Sequence, residues 1–352
     1  MSTIKFLSLK SVNNPTSVHG IYPYRGKISS LEAKLVCEQL PQGSTLLDPF
    51  CGTGTIIFEG ACNHLKVFGV DNNPLAIAIS KGKINSLEKP SSEFENETMA
   101  ILSKARDCKI YRQMPENAAR HFHPQTTDEI MQVFSFYDEM SDYLKAAFFG
   151  AIALTARGCN HYKWTSTTVG KDINPKNYIP FFEKFLGKVK KHHPKKNLND
   201  LNVDLHQADS RCLSTLLPLK SIDYVFTSPP YFDALDYTAY YGKIIYSILD
   251  ADRDAIRDGL IQDVRTYERD MKAVLDEVVK VTRDDAQICF VVGDKKVGKE
   301  LINGGEFFST LLQHKPNQII EREYTQTSSQ VFDKLNKTSR KEQIVIWNKA
   351  TW

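Results

Sequence analysis

Long apolar runs are missing from the 352 residues. Nothing approaches the roughly 18–20 consecutive apolar positions of a membrane-spanning helix, so no span is expected. The opening residues, MSTIKFLSLKSVNN, hold no apolar h-region and no small-residue cleavage site, which predicts a cytoplasmic chain rather than a secreted one. Cysteine is scattered: seven residues, an odd number, with no CxxC pair. Neither a disulfide framework nor a cysteine zinc site is expected from that pattern. His121-x-His123 and His192-His193 lack a Cys or carboxylate at ligand spacing, so no metal is expected either. Excess charge of one sign is small, a net +3, which excludes a polycation but leaves room for local basic patches. Repeats and low-complexity tracts are absent.

What is present is an alternation of strand and helix signals in two blocks. STLLDPF predicts a short buried strand and TGTIIFEGACNHL a helix. KVFGVDNN predicts a second strand and NPLAIAISKGKINSL a second helix, with Pro74 near its start. That rhythm belongs to a parallel α/β sheet. The second block opens near Val203. VDLHQAD and SIDYVFTSPPY predict strands, YERDMKAVLDEVVKVTR an amphipathic helix and QICFVVGD an apolar strand. Two more strands around IIEREY and QIVIWN are joined by a polar loop. Three parts follow: residues 1–85 with the first half of the sheet, 86–200 as a mostly helical insertion, and 201–352 with the second half. The insertion is too long and too apolar for a loop. Its stretch KAAFFGAIAL is expected to extend the core, whereas its tail over 161–200 is basic, nine lysines against three carboxylates.

Three signals carry chemistry. Asp48-Pro49-Phe50-Cys51-Gly52-Thr53-Gly54-Thr55 sits where a strand hands over to a helix. Glycines there allow a tight turn and close approach to a ligand, and the helix presents unpaired N–H groups. The full G-x-G-x-x-G pattern is not met, because position 57 is isoleucine. Asp71, ending the next strand before Asn72 and Asn73, suits two ribose hydroxyls and equally suits a helix cap. Thr227-Ser228-Pro229-Pro230-Tyr231 follows an apolar strand. A hydroxyl beside a rigid carbonyl makes a planar acceptor pair, and the aromatic ring adds a stacking face, a corner suited to a flat base with an exocyclic amine.

Together DPFCGTGT, VDNN and TSPPY resemble the amino-group methyltransferases that use S-adenosylmethionine. The serine form of the tetrapeptide is most similar to DNA cytosine-N4 enzymes. The resemblance implies a Rossmann-like seven-stranded α/β sheet with a reversed C-terminal hairpin. It also implies that Phe50, Gly52 and Gly54 touch the methionine moiety through backbone, with Cys51, Thr53 and Thr55 in the same loop. Asp48 would hold the ammonium, Asp71 and Asn72 the ribose end, and Asp209 with its neighbour Ser210 the adenine. HGIYPYRGKISSLEAKLV resembles the segment that precedes the loop in this family, placing His19, Tyr24, Lys27, Ser29 and Ser30 at the methionine end. Ser228 and Pro229 would accept the amine's N–H bonds, Pro230 would keep the corner rigid and Tyr231 would stack on a base flipped from double-stranded DNA. Cys51 reads as packing, since no covalent intermediate is needed.

The resemblance makes double-stranded DNA the expected partner and leaves open a companion restriction endonuclease. Adenine-N6 methylation of DNA, guanine-N2 methylation of RNA and a non-catalytic nucleic-acid-binding subunit are the alternatives. Only about 20 residues precede HGIYPYRGK, which argues against an RNA-binding domain there. Within the insertion, Arg157, Asn160, His161, Lys163 and Trp164 are of types that read or wedge bases. Lys188, Lys190 and Lys191 are placed to meet phosphates. Tyr237, Tyr240 and Tyr241 suit either the base pocket or core packing.

Overall fold

The structure, a computed structural model, describes residues 4–6, 17–24, 28–156, 177–230, 236–239, 241–297, 300–323 and 341–352. Its strands are β1 (Thr45–Asp48), β2 (Lys66–Asp71), β3 (Val203–Gln207), β4 (Ile222–Thr227), β5 (Thr282–Gly293), β6 (Lys295–Val297), β7 (Glu300–Ile302), β8 (Gln318–Glu323) and β9 (Lys341–Asn348). Seven of them form one sheet in the order β3-β2-β1-β4-β5-β9-β8, and β6 pairs with β7 as a separate ribbon. β1 to β5 are parallel, and β9 runs antiparallel to both its neighbours, β5 and β8. This is the Rossmann-like sheet with a reversed final strand.

The helices in chain order are α1 (Ser30–Cys37), α2 (Thr55–Cys62), α3 (Pro74–Asn85), α4 (Ser91–Asp107), α5 (Glu116–Ala119) and α6 (Pro124–Phe134). They continue with α7 (Asp142–Thr155), α8 (Phe181–His192), α9 (Tyr241–Leu249), α10 (Arg253–Asp258), α11 (Tyr267–Val281) and α12 (Gly304–Thr310). Local chemistry explains the starts. Pro74 occupies the first position of α3, and Asn73 Oδ1 accepts from the amides of Leu75 and Ala76. α2 is entered through Gly54 at φ 66°, where an added β-carbon would lie 2.6 Å from Ser80 Oγ.

Strand alternation divides the core. Leu46, Tyr224, Cys289 and Ile344 face α1 and α2, while Leu47, Val225, Phe290 and Trp347 face α11 and α12. A third cluster lies beside α3 and unites α4, α6, α7, α8 and α9 with Ile21 and Tyr22. KAAFFGAIAL falls in α7 and is buried from Ala146 to Ala153. The helices between α3 and β3 therefore share a core with the N-terminal segment 17–24.

Gly150 makes that contact possible. A β-carbon there would lie 1.9 Å from the Ile21 carbonyl oxygen. Gly150→Ala should force the segment off α7 at a cost of about 1–3 kcal/mol. Gly187, with nothing within 4 Å of its would-be β-carbon in α8, is the control. Gly187→Ala should stabilise by roughly 0.5–1 kcal/mol. Denaturant melts of both variants check the contrast, and equal midpoints would contradict the packing.

Candidate active site

A cleft opens beyond the carboxyl ends of β1 to β4, its space about 620 Å³ with the open solvent at its mouth included. Ligands bind there in open parallel sheets, because the loops diverge where strand order reverses. β1 is the reversal point: β2 leaves it on one side and β4 on the other.

On the β2 side Asp71 organises the wall. Its carboxylate accepts from the Gly52 amide at 2.9 Å and the Asn73 amide at 2.8 Å. It thus pins the glycine loop and the α3 cap while facing the cleft. Burial raises its pKa to about 6, against the opposing pull of those two amides. Asp48 sits behind the wall, 3% exposed. It accepts from the Thr227 hydroxyl at 2.6 Å and the Phe50 amide at 3.1 Å. Burial outweighs both bonds and raises it to about 7, with Asp71 adding to the rise. Phe50 and Gly52 line the cleft, and the Tyr24 ring stacks on Tyr237 at 6.3 Å and 27°. Burial, then the Asp71 charge, hold the Tyr24 hydroxyl well above the usual phenol range.

On the β4 side, Ser228 and Pro230 line the same cleft, and Pro229 is buried behind them. The Tyr267 hydroxyl donates to the Pro230 carbonyl. At the β3 end, Asp209 lines the cleft with both oxygens held by Arg211, at 3.0 Å and 3.0 Å from Nε and 2.6 Å from Nη2. Ser210 also lines it, with its hydroxyl donated to the Pro49 carbonyl.

Other expected site residues have structural partners away from the cleft. Ser29 caps α1 by accepting from the Glu32 amide at 3.2 Å, and Ser30 is buried. Burial raises the Cys51 thiol well above the ordinary range, in keeping with packing. Thr53 meets Lys83 Nζ at 3.4 Å, and Gly54 and Thr55 open α2. Lys188 donates to the Gly20 and Ile21 carbonyls at 3.2 and 2.9 Å, so its ammonium is committed within the fold. Lys190 and Lys191 are exposed in the last turn of α8, Lys190 3.7 Å from Glu95. Lys27, Tyr231, Arg157, Asn160, His161, Lys163, Trp164 and Tyr240 lie outside the described residues. Sequence reasoning missed the far wall, Gly259, Leu260 and Ile261, which carry no chemical signature. It also missed Ala208, and it named Asn73 beside Asp71 and Asn72 for either a ribose contact or a helix cap. Among the described residues no cluster of three or more His, Cys, Asp or Glu could hold a metal, and no helix is long and apolar enough to cross a membrane.

Residues 35–121 match the UPF0020 family, RMKL-like, methyltransferase domain. An 88-residue stretch is 32% identical to the Type II methyltransferase M.MvaI of Kocuria varians, covering 24% of this chain and 19% of that protein. The chain thus spans about a fifth of that curated relative. Among solved structures, the rRNA methyltransferase aviRa from Streptomyces viridochromogenes superposes with a TM-score of 0.38 at 12% identity, over 94% of this chain and 90% of that one. A putative rRNA-methylase from Clostridium thermocellum gives 0.35 at 9% identity, over 90% and 95%. Residues 35–121 thus resemble a methyltransferase domain and lie on the seven-stranded sheet, and S-adenosylmethionine is the methyl donor that such a domain implies.

The cleft residues fit that donor. Asn73 Nδ2 is buried at the wall with no hydrogen-bond partner among the described residues. Such an amide is costly unless an acceptor meets it, and a ligand rich in hydroxyl and ring acceptors supplies one. The donor's sulfonium and ammonium also match two carboxylates, Asp48 buried and Asp71 half-buried at the cleft wall. In the unliganded protein, the raised values of Asp48 and Asp71 make stability fall as pH rises from the ordinary carboxylate range through about 6 and about 7. A bound cation favours the ionised forms. Binding of S-adenosylmethionine should therefore release protons and tighten as pH rises from about 5 to about 8. Calorimetry in two buffers of different ionisation enthalpy measures the proton count. Asp71→Ala should weaken binding by roughly 1–2 kcal/mol per lost hydrogen bond and reduce the proton release. Unchanged affinity in a folded variant would leave Asp71 only the pinning of two amides.

Proposed function

We propose that the chain is an S-adenosylmethionine-dependent methyltransferase whose target is the exocyclic N4 of a cytosine flipped out of DNA. One observation carries this reading: Ser228 and Pro230 share a single cleft with Gly52, Asp71 and Asp209. The match to a methyltransferase domain over 35–121 spans the glycine loop and Asp71, and the relative described as a Type II methyltransferase supports a DNA target.

In this reading Asp71 holds the ribose hydroxyls, and Asp209, kept in place by Arg211, accepts from the adenine amine. The backbone at Phe50 and Gly52 lies along the methionine moiety. Asp48 acts from behind, shaping the loop through the Phe50 amide and supplying negative charge. When bound, S-adenosylmethionine supplies an electrophilic methyl group. An exocyclic amine is a poor nucleophile because its lone pair is delocalised into the ring. The Ser228 hydroxyl and the Pro229 carbonyl accept its N–H bonds and hold the amine in a geometry where its lone pair, drawn back from the ring onto nitrogen, points at the methyl group. Tyr231 stacks on the base. Proximity and preorganised acceptors do the rest; the methylated nitrogen is then cationic and strongly acidic, and it sheds one proton to water without a general base of shifted pKa. Residues 86–200 supply much of the recognition, with Arg157, Asn160, His161, Lys163 and Trp164 reading bases and Lys190 and Lys191 of α8 meeting phosphates.

The test is a nucleoside digest. Incubation with methyl-labelled donor and either duplex DNA or RNA, followed by mass identification, should yield N4-methyldeoxycytidine. N6-methyldeoxyadenosine or N2-methylguanosine would move the target, and donor binding without transfer to either polymer would leave a non-catalytic subunit. Tyr231→Ala should cut transfer by the stacking of one base, roughly 1–3 kcal/mol, while Tyr231→Phe stays mild. Neutralising Lys190 and Lys191 together should lower affinity for all sequences and flatten the salt slope by about 0.9 for each phosphate no longer neutralised. A parental salt slope would make them a solvated face.

A further inference from the structure

Building on the transfer reaction above, we propose that the first turn of α11 is a strut that sets the spacing between the catalytic corner and the adenine end of the cleft. Tyr267 and Asp270 are its positioning residues.

The corner needs an outside tether. Pro229 and Pro230 have no N–H groups, so neither can be fixed by donating a backbone hydrogen bond. Their carbonyls are the remaining backbone handles, and the Tyr267 hydroxyl takes that of Pro230. Tyr267 is itself immobilised: it is 1% exposed, with its ring against Phe307 at 5.8 Å. Three residues on, and so on the same helix face, stands Asp270. Its Oδ1 lies 3.2 Å from Arg211 Nη1. Arg211 in turn grips Asp209 with the three bonds described above. Arg269 also reaches Asp270, at 2.9 Å, but it is largely exposed and its pull is screened by solvent.

A continuous path therefore runs from Pro230 through Tyr267, one helical turn, Asp270 and Arg211 to Asp209. Both ends line the cleft. The path is stiff because α11 is buried along Met271, Val274, Leu275 and Val278 against the sheet. The Glu277 carboxylate adds a tie further along, accepting from the Ser214 amide at 2.7 Å. Methyl transfer depends on the distance between amine and donor at the ångström scale. One rigid turn that holds both loops removes the freedom that would let this distance drift.

Tyr267→Phe deletes the hydroxyl and keeps the ring. It should lower kcat about tenfold, while the Kd for S-adenosylmethionine and the thermal midpoint stay at parental values. Asp270→Asn releases the other end: it should also lower kcat several-fold and, unlike Tyr267→Phe, should raise the Kd for the donor several-fold. A parental kcat in Tyr267→Phe would overturn the strut. So would a fall in kcat, affinity and midpoint together, which would mark a merely structural tyrosine. Hydrogen exchange at the Thr227 and Ser228 amides separates this idea from the choice of substrate. Exchange there should quicken in Tyr267→Phe even if the parent chain methylates no nucleic acid, and unchanged exchange would sink the strut whatever the substrate.

Discussion

Asp48 and Thr227 end adjacent parallel strands, and the buried 2.6 Å hydrogen bond between them joins positions 179 residues apart. The two halves of the cleft meet at that bond. β1 and β2 supply the glycine loop and Asp71, and β4 supplies the Ser228 corner. Their register, Leu46 opposite Tyr224 and Leu47 opposite Val225, brings both loops off the sheet at the same height. A shift of one residue would turn Leu47 and Val225 away from α11 and break the core on that face. Site geometry and core packing are thus secured by the same pairing.

The electrostatics follow from the same crowding. Burial is the main cost of ionising Asp48, and the nearby Asp71 charge adds to it. Backbone amides from Phe50, Gly52 and Asn73 only partly offset the burial of the two carboxylates. Asp209, by contrast, is paired with a guanidinium. At one end of the cleft two carboxylates, Asp71 in the wall and Asp48 behind it, are therefore short of positive charge, and at the other Asp209 is paired. A donor with its cationic sulfonium and ammonium at one end and a neutral adenine at the other complements that asymmetry.

The sheet was legible because its signals are local. Strands β1 to β5 and helices α2, α3 and α11 appear as short apolar runs or 3.6-residue periods, bounded by Gly, Pro and Asn. Asp71 and Asp209 were legible as wall residues mainly through the resemblance, which singles out the carboxylates near the ends of β2 and β3; on its own Asp71 suits a helix cap as well. Residues defined by tertiary neighbours were not. Gly259, Leu260 and Ile261 reach the cleft through tertiary contacts, among them the Asn72 Nδ2 donation to the Gly259 carbonyl at 2.8 Å. Lys188 looks like one more lysine in a basic run, yet two carbonyls from a segment 167 and 168 positions away hold its ammonium. Tyr267 looks like the start of an amphipathic helix, and nothing in its neighbours signals the Pro230 carbonyl.

The N-terminal segment shows how far such contacts reach. His19 Nε2 lies 2.8 Å from Glu59 and Lys83 Nζ 3.5 Å from His19 Nδ1, with all three side chains buried. Removing one partner from a buried ionisable cluster costs several kcal/mol, so the turn Ser17–Gly20 is fastened firmly to α2 and α3. On its other side α8 holds it through Lys188 and through His192, whose Nδ1 lies 2.6 Å from the Ser17 carbonyl oxygen, and Gly150 of α7 leaves room for Ile21. Gripped from both sides, the chain emerges at Tyr22 and delivers the Tyr24 ring to Tyr237 in the cleft wall. Helices α7 and α8, remote in sequence from the glycine loop, thereby become part of what shapes the cleft. A change in their packing would reach the site through the Tyr24 ring, without altering any residue of the glycine loop or the Ser228 corner.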